Sequence, residues 1–109
     1  MDWILLESIG QIDEIKKSTE PSIIFKHSTR CSISLMVKKR FDMDRDKLPD
    51  NFKLYFLDLI KYREISNQVA TVFFVAHESP QLLLIENGEC ILDLSHGEVS
   101  VDEVMAAIG

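Results

Sequence analysis

Apolar residues along this chain come in short runs with two different spacings, and the spacings predict the elements. Residues 3–6 (Trp3-Ile4-Leu5-Leu6) are a run of strand length. In residues 8–18, Ile9, Ile12 and Ile15 fall on one side of a helix that Ser8 can cap, and Glu20-Pro21 stops it. Residues 22–27 are β-branched and aromatic, as a buried strand requires. A second helix is predicted from Cys31 to Asp44, with Ile33, Val37 and Phe41 repeating every fourth position on its buried face. The charged stretch 44–50, which contains Pro49, reads as a connection. In residues 52–58, Phe52, Leu54 and Phe56 alternate against Lys53 and Tyr55, a strand pattern.

Residues 62–76 allow two readings. Positions 62–69 have helical spacing, while Val72-Phe73-Phe74-Val75 has strand propensity. A strand there would leave almost no connection to the next one, so a helix ending near Val75 is expected. Pro80 opens a strand over 81–85, Asn87-Gly88 signals a two-residue hairpin because both residues tolerate positive φ, and 89–94 returns. Ser100 caps a last helix with Glu103 in the capping-box position, and Val101, Val104, Met105 and Ile108 form its apolar stripe. The order is β-α-β-α-β-α-β-β-α in one domain over residues 1–109. It implies an α/β fold: a mixed central sheet of about five strands with helices on both faces. In such a sheet the loop after the second strand joins a strand's carboxyl end to a helix start, the edge at which ligand chemistry gathers.

Composition acts mainly by exclusion. The chain has 109 residues, 46% of them hydrophobic and 28% charged, enough for one core without a covalent staple. A net charge of −6 argues against broad nucleic-acid binding, which needs Lys and Arg to displace counterions. No run approaches the ~18 apolar residues that span a bilayer. The apolar run at 3–6 is too short, and its flank too acidic, for an export signal. The expected setting is therefore reducing cytoplasm, with no membrane partner and a monomeric chain. The two cysteines, Cys31 and Cys90, are then expected as thiols and not as a structural disulfide. No Cys/His set has zinc-finger spacing, no glycine-rich phosphate loop occurs, and no pair of acidic residues suggests hydrolysis.

What remains is Cys31, in the stretch Phe25-Lys26-His27-Ser28-Thr29-Arg30-Cys31-Ser32-Ile33-Ser34. A thiolate is the nucleophilic form of cysteine, and the first turn of a helix favours it through free backbone N–H groups and the positive end of the helix dipole. Arg30 adds a neighbouring cation, Ser28 and Thr29 add hydroxyls, and Ser34, one turn on, can donate toward the sulfur. Cys31-Ser32-Ile33-Ser34 has the spacing of a dithiol redox motif with serine in second place, and a hydroxyl cannot resolve a mixed disulfide. Such a site suits the transfer of a small thiol out of a protein disulfide, followed by release to a second small thiol. A small buried filler is the other reading of a lone cysteine beside a strand end. His27 and His77 are candidates for a modest electrostatic or substrate-facing role, or else structural. His96 reads as surface. Cys90, on a hairpin strand, reads as a core or edge residue.

The order of elements, with a cysteine opening the second helix and a proline opening the penultimate strand, resembles the thioredoxin fold. Phe25-Lys26-His27-Ser28-x-x-Cys31-x-Ile33-Ser34, together with His77-x-Ser79-Pro80-Gln81, resembles the monothiol bacilliredoxin family. The resemblance implies a cytosolic enzyme that removes bacillithiol from S-thiolated proteins, with bacillithiol as co-substrate and no tightly bound cofactor or metal. It implies Cys31 as the nucleophile, Ser34 in the place of the missing resolving cysteine, Pro80 as a cis-proline beside the active cysteine, and Ser79 as the residue whose backbone pairs with substrate. Members commonly have proline directly after the cysteine, where this chain has Ser32. Monothiol glutaredoxins, which carry iron–sulfur clusters, are similar in fold and single cysteine but use C-G-F-S. A non-enzymatic binding or regulatory domain on the same fold is the remaining alternative.

Overall fold

The computed structural model describes residues 2–108. The chain forms β1 (Trp3–Leu5), α1 (Ile9–Lys17), β2 (Ser22–His27), α2 (Ser32–Asp44), β3 (Lys53–Asp58), α3 (Arg63–Phe73), β4 (Gln81–Glu86), β5 (Glu89–Ser95) and α4 (Val101–Ile108). Short 3-10 turns lie at Arg45–Lys47 and His96–Glu98. The strands make one five-stranded sheet in the order β1-β3-β2-β4-β5. β1, β3 and β2 run parallel, while β4 and β5 are antiparallel to their neighbours, so the expected mixed sheet is the one that forms.

Helices cover both faces. Val37 and Phe41 of α2 and Val101 and Val104 of α4 pack with Ile23, Phe25 and Leu54 on one side. Ile12 and Ile15 of α1 and Ile65, Val69 and Phe73 of α3 pack with Ile24, Tyr55 and Leu83 on the other. β2 is the central strand, and all six of its residues are buried. Period-two alternation sends Ile23 and Phe25 to the first face and Ile24 to the second. Carried two residues further, it buries Lys26 on the α3 side and His27 on the α2 side. Each large apolar side chain buried here contributes about 1.5–3 kcal/mol, and two ionisable residues at one end of the strand interrupt that series.

The ambiguous segment is helical through Phe73, so packing on the sheet overrides the strand propensity of Val72-Phe73. Phe74 ends α3 in a left-handed conformation, φ 57°. The hairpin turn has positive φ at both Asn87 (52°) and Gly88 (78°), as its sequence requires. Ser8 caps α1 in a full capping box with Gln11, whose part the sequence reading did not anticipate. Ser100 accepts the Glu103 N–H at 3.2 Å. After β5 the left-handed residue is His96 (φ 54°), although Gly97 follows it.

One expectation about α2 is corrected. Helical spacing puts Ile33 on the buried face, but it is 53% exposed; the inward positions are Ser34, Val37 and Phe41. The helix is turned so that a hydroxyl, and not a butyl side chain, meets the end of β2. The reason is two hydrogen bonds that Ser34 makes beneath the helix.

Candidate active site

Cys31 is the N-cap of α2, half-buried and extended (φ −104°, ψ 119°). Its N–H donates to Ser28 O at 3.2 Å, and its carbonyl accepts the helix's first bond, from Leu35 N at 3.1 Å. The side chain makes no capping hydrogen bond, and the N–H groups of Ser32, Ile33 and Ser34 find no acceptor among the described residues. Free N–H groups and the positive end of a helix dipole are the setting that favours an anionic group at an N-cap.

Beneath the turn, Ser34 is fully buried. Its Oγ lies 2.6 Å from His27 Nδ1 and accepts the Ser28 N–H at 3.1 Å. Both bonds go to the strand end and the loop, so Ser34 pins the β2–α2 connection that carries Cys31. Burial, then the charge of Lys38, lowers the pKa of His27 against the opposing pulls of Asp58 and of a hydrogen bond at Ser34; the net lowering favours the neutral ring. A neutral His27 with its proton on Nε2 accepts the Ser34 hydroxyl proton. Thr29 and Arg30 form the exposed turn just before the cysteine.

The second half of the site comes from β4. Lys26 pairs with Gln81 across the sheet, so the next step outward places Pro80 beside His27. The Ser79-Pro80 peptide bond is cis, Pro80 is buried and Ser79 half-buried. The Pro80 carbonyl accepts the His96 N–H at 2.9 Å. Cys31, four residues beyond His27, and Ser79-Pro80 thus lie toward the same end of the sheet. His77 is exposed on the same loop, but its Nδ1 faces inward, 3.3 Å from both Lys26 Nζ and Ser66 Oγ. Gln81, buried, binds the loop twice: its Nε2 donates to Ala76 O at 3.0 Å and its Oε1 accepts the Glu78 N–H at 3.3 Å.

Lys26 and Gln81 were not singled out from sequence. The available signal was the strand itself. A central strand covered on both faces buries every residue it contains, so a lysine inside the run 22–27 had to be an interior cation.

Cys90 stands elsewhere. Ile85 pairs with Ser22 on one side and with Cys90 on the other, so Cys90 is level with the start of β2. That is about 17 Å along the strand from His27, well outside the ~4.4–6.8 Å Cα separation of a disulfide. Burial pushes its thiol up to about 11. A cavity of about 640 Å³ opens beside it, among Lys16, Phe73 and Ile91, and does not include Cys31. Among the described residues, no group of three or more His, Cys, Asp or Glu side chains is placed to hold a metal ion.

Solved structures share the fold. A candidate oxidoreductase with a thioredoxin fold aligns with a TM-score of 0.83 at 29% identity, over 98% of this chain and 94% of that one. A thioredoxin of Malassezia sympodialis aligns at 0.76 and 19% identity, over 99% and 88% of the two chains. A thioredoxin variant from Halobacterium salinarum aligns at 0.71 and 12%, over 98% and 88%. The chain therefore has the thioredoxin fold, and its kinship with an oxidoreductase of that fold supports a redox function. Residues 4–104, nearly the whole chain, match the family described as monothiol bacilliredoxin BrxC, and the chain belongs to the monothiol bacilliredoxin family.

Proposed function

We propose that the chain is a monothiol thiol-disulfide oxidoreductase that removes bacillithiol, or a closely similar small thiol, from S-thiolated cytosolic proteins. The observation that carries this reading is Cys31 at the bare N-terminus of α2 with the only other cysteine far out of reach. In the first step the Cys31 thiolate attacks the bacillithiol sulfur of the protein's mixed disulfide. The new S–S bond joins Cys31 to bacillithiol, the old one breaks, and the protein thiolate leaves and takes a proton from water. In the second step a free bacillithiol thiolate attacks the bacillithiol sulfur held on Cys31. Bacillithiol disulfide leaves and the Cys31 thiolate returns. Ser34 cannot intercept the intermediate, because a hydroxyl forms no disulfide.

The neighbouring residues take supporting parts. Ser34 and His27 hold the loop that aims Cys31, and Arg30 and Thr29 lie at its solvent side. The backbone at Ser79, beside Pro80, offers a short β-like pairing to a thiolated segment. Exposed Ile33 (53%) and Met36 (68%) give that segment an apolar surface beside the cysteine. The test is a transfer assay on a bacillithiolated protein with excess bacillithiol. The wild-type chain is expected to return the substrate to its free thiol, and Cys31→Ala to lose the activity. Equal turnover by the two forms contradicts the proposal, as does a substrate that stays thiolated with the wild type.

A further inference from the structure

Lys26 and His27 are adjacent on β2 and point to opposite faces. His27 serves the Cys31 loop through Ser34, whereas Lys26 is a fully buried cation under α3. No ion pair with a carboxylate holds it among the described residues. Its ammonium donates to the Ser66 carbonyl at 3.1 Å and lies 3.3 Å from His77 Nδ1. Burying a charge without a counter-ion is costly, and burial pushes Lys26 down to about 8, which leaves it mostly protonated at pH 7.

An ammonium has three donors and no acceptor. With Lys26 donating, His77 Nδ1 is the lone-pair nitrogen, Ser66 Oγ at 3.3 Å is a second donor to it, and the ring's proton sits on Nε2, across the ring and away from Lys26. The groups around the imidazole keep it neutral: burial acts first, then Lys26 from β2 and Arg63 from α3, all lowering its pKa against the opposing Glu78 beside it. His77 lies two residues before Ser79. Gln81, the partner of Lys26 across the sheet, binds Ala76 and Glu78 of the same loop. Two buried polar side chains thus hold from below the segment that leads into Ser79-Pro80.

We infer that Lys26 is a positioning residue for the transfer reaction: through His77 it sets the loop before Ser79-Pro80 and fixes the imidazole with Nε2–H outward, as a donor to an oxygen acceptor of the bound mixed disulfide. The inference rests on the proposed thiol transfer for its kinetic consequence, but not for the tautomer. Nitrogen NMR of the full chain should show His77 Nδ1 unprotonated and Nε2 protonated at pH 7. In Lys26→Met the two nitrogens should move toward the averaged values of a mixed tautomer, and Lys26→Gln, which keeps an N–H donor, should move less. De-thiolation by Lys26→Met and by His77→Ala should lose about tenfold in kcat/KM, the size of one hydrogen bond, mostly in KM. Alkylation of Cys31 by iodoacetamide should stay within about twofold of wild type in both, because that reagent does not need the loop. A loss with a thiolated peptide but not with bacillithiol disulfide places the acceptor on the peptide; a loss with both places it on the small thiol. A protonated Nδ1 in the wild type overturns the inference, and so does an unchanged spectrum in folded Lys26→Met. If that variant does not fold, the wild-type tautomer and the KM of His77→Ala, an exposed residue, decide it. A wild-type chain that transfers no thiol would defeat the proposed function and leave the spectrum to judge Lys26.

Discussion

Cys31 and Cys90 are both half-buried, and they sit at opposite ends of the same sheet. Cys31 ends a loop and begins a helix, where three backbone N–H groups lack acceptors among the described residues. Cys90 lies within β5, where the ladder uses the backbone groups; its S–H donates to Leu92 O at 3.3 Å. For Cys90, burial acts against the charged form and the nearby Asp93 carboxylate adds to it, outweighing two backbone hydrogen bonds that favour the thiolate. The two settings differ in their backbone and in what dominates: free N–H groups lie at the start of α2 beside Cys31, whereas burial governs the Cys90 thiol within the paired ladder.

The sharpest way to break this contrast is to label both thiols in one molecule. With its thiol pushed up from 9.0 to about 11, Cys90 carries roughly 100-fold less thiolate at pH 7 than an unshifted cysteine. Iodoacetamide at pH 7, followed by peptide mapping, should modify Cys31 first and Cys90 at least about 100-fold more slowly. Comparable rates would end the distinction.

Ser34→Ala tests whether the Cys31 loop is pinned as described. It leaves the Ser28 N–H and His27 Nδ1 without their shared partner, at a cost of about 1–3 kcal/mol, read from urea denaturation. A change below about 0.5 kcal/mol would mean that the pin is not holding.

Alkaline pH separates the two ends of the sheet by sign. Lys26 is lowered from 10.5 to about 8 by burial. Between those values the unfolded chain holds the extra proton, so stability from this group rises with pH. Cys90 is raised from 9.0 to about 11. Between those values the folded chain holds the extra proton, so its contribution falls. Denaturation midpoints from pH 8 to 9 should show the rise in wild type and lose it in Lys26→Met. From pH 9 upward, Cys90→Ala should remove part of the decline. The opposite signs would contradict the burial of these groups.

The smallest expected effect is at Ser32, where this chain leaves its family's usual proline. Cys31 is already extended, as a residue before proline prefers, and the Ser32 N–H has no acceptor to lose among the described residues. Ser32→Pro should therefore stabilise by about 0.4–1 kcal/mol, seen as a rise in Tm of a few degrees. A fall in Tm would show that the first turn needs that N–H.

Much of this arrangement was legible in the chain. Period-two and helical spacings located the strands and helices, and the cysteine at the start of α2 and the cis proline before β4 stand where the chain's pattern put them. Ile33 was misplaced because an apolar residue at helical spacing outweighs a serine in any periodicity, while the structure gives the inward position to the residue with hydrogen bonds to make. Lys26 takes no role from the sequence pattern, although it stands in the motif, because a lysine reads as solvent-facing until its strand is known to be central. These readings failed where tertiary context, and not local pattern, selects the partner.

The most direct measurement is a map of where bacillithiol lands. The wild-type chain is incubated with a bacillithiolated protein, digested without reductant and analysed by mass spectrometry. The adduct is expected on the peptide containing Cys31, absent from the Cys90 peptide, and discharged by added bacillithiol. An adduct on Cys90, a Cys31–Cys90 disulfide, or an unmodified Cys31 would contradict a single-cysteine transfer at the start of α2.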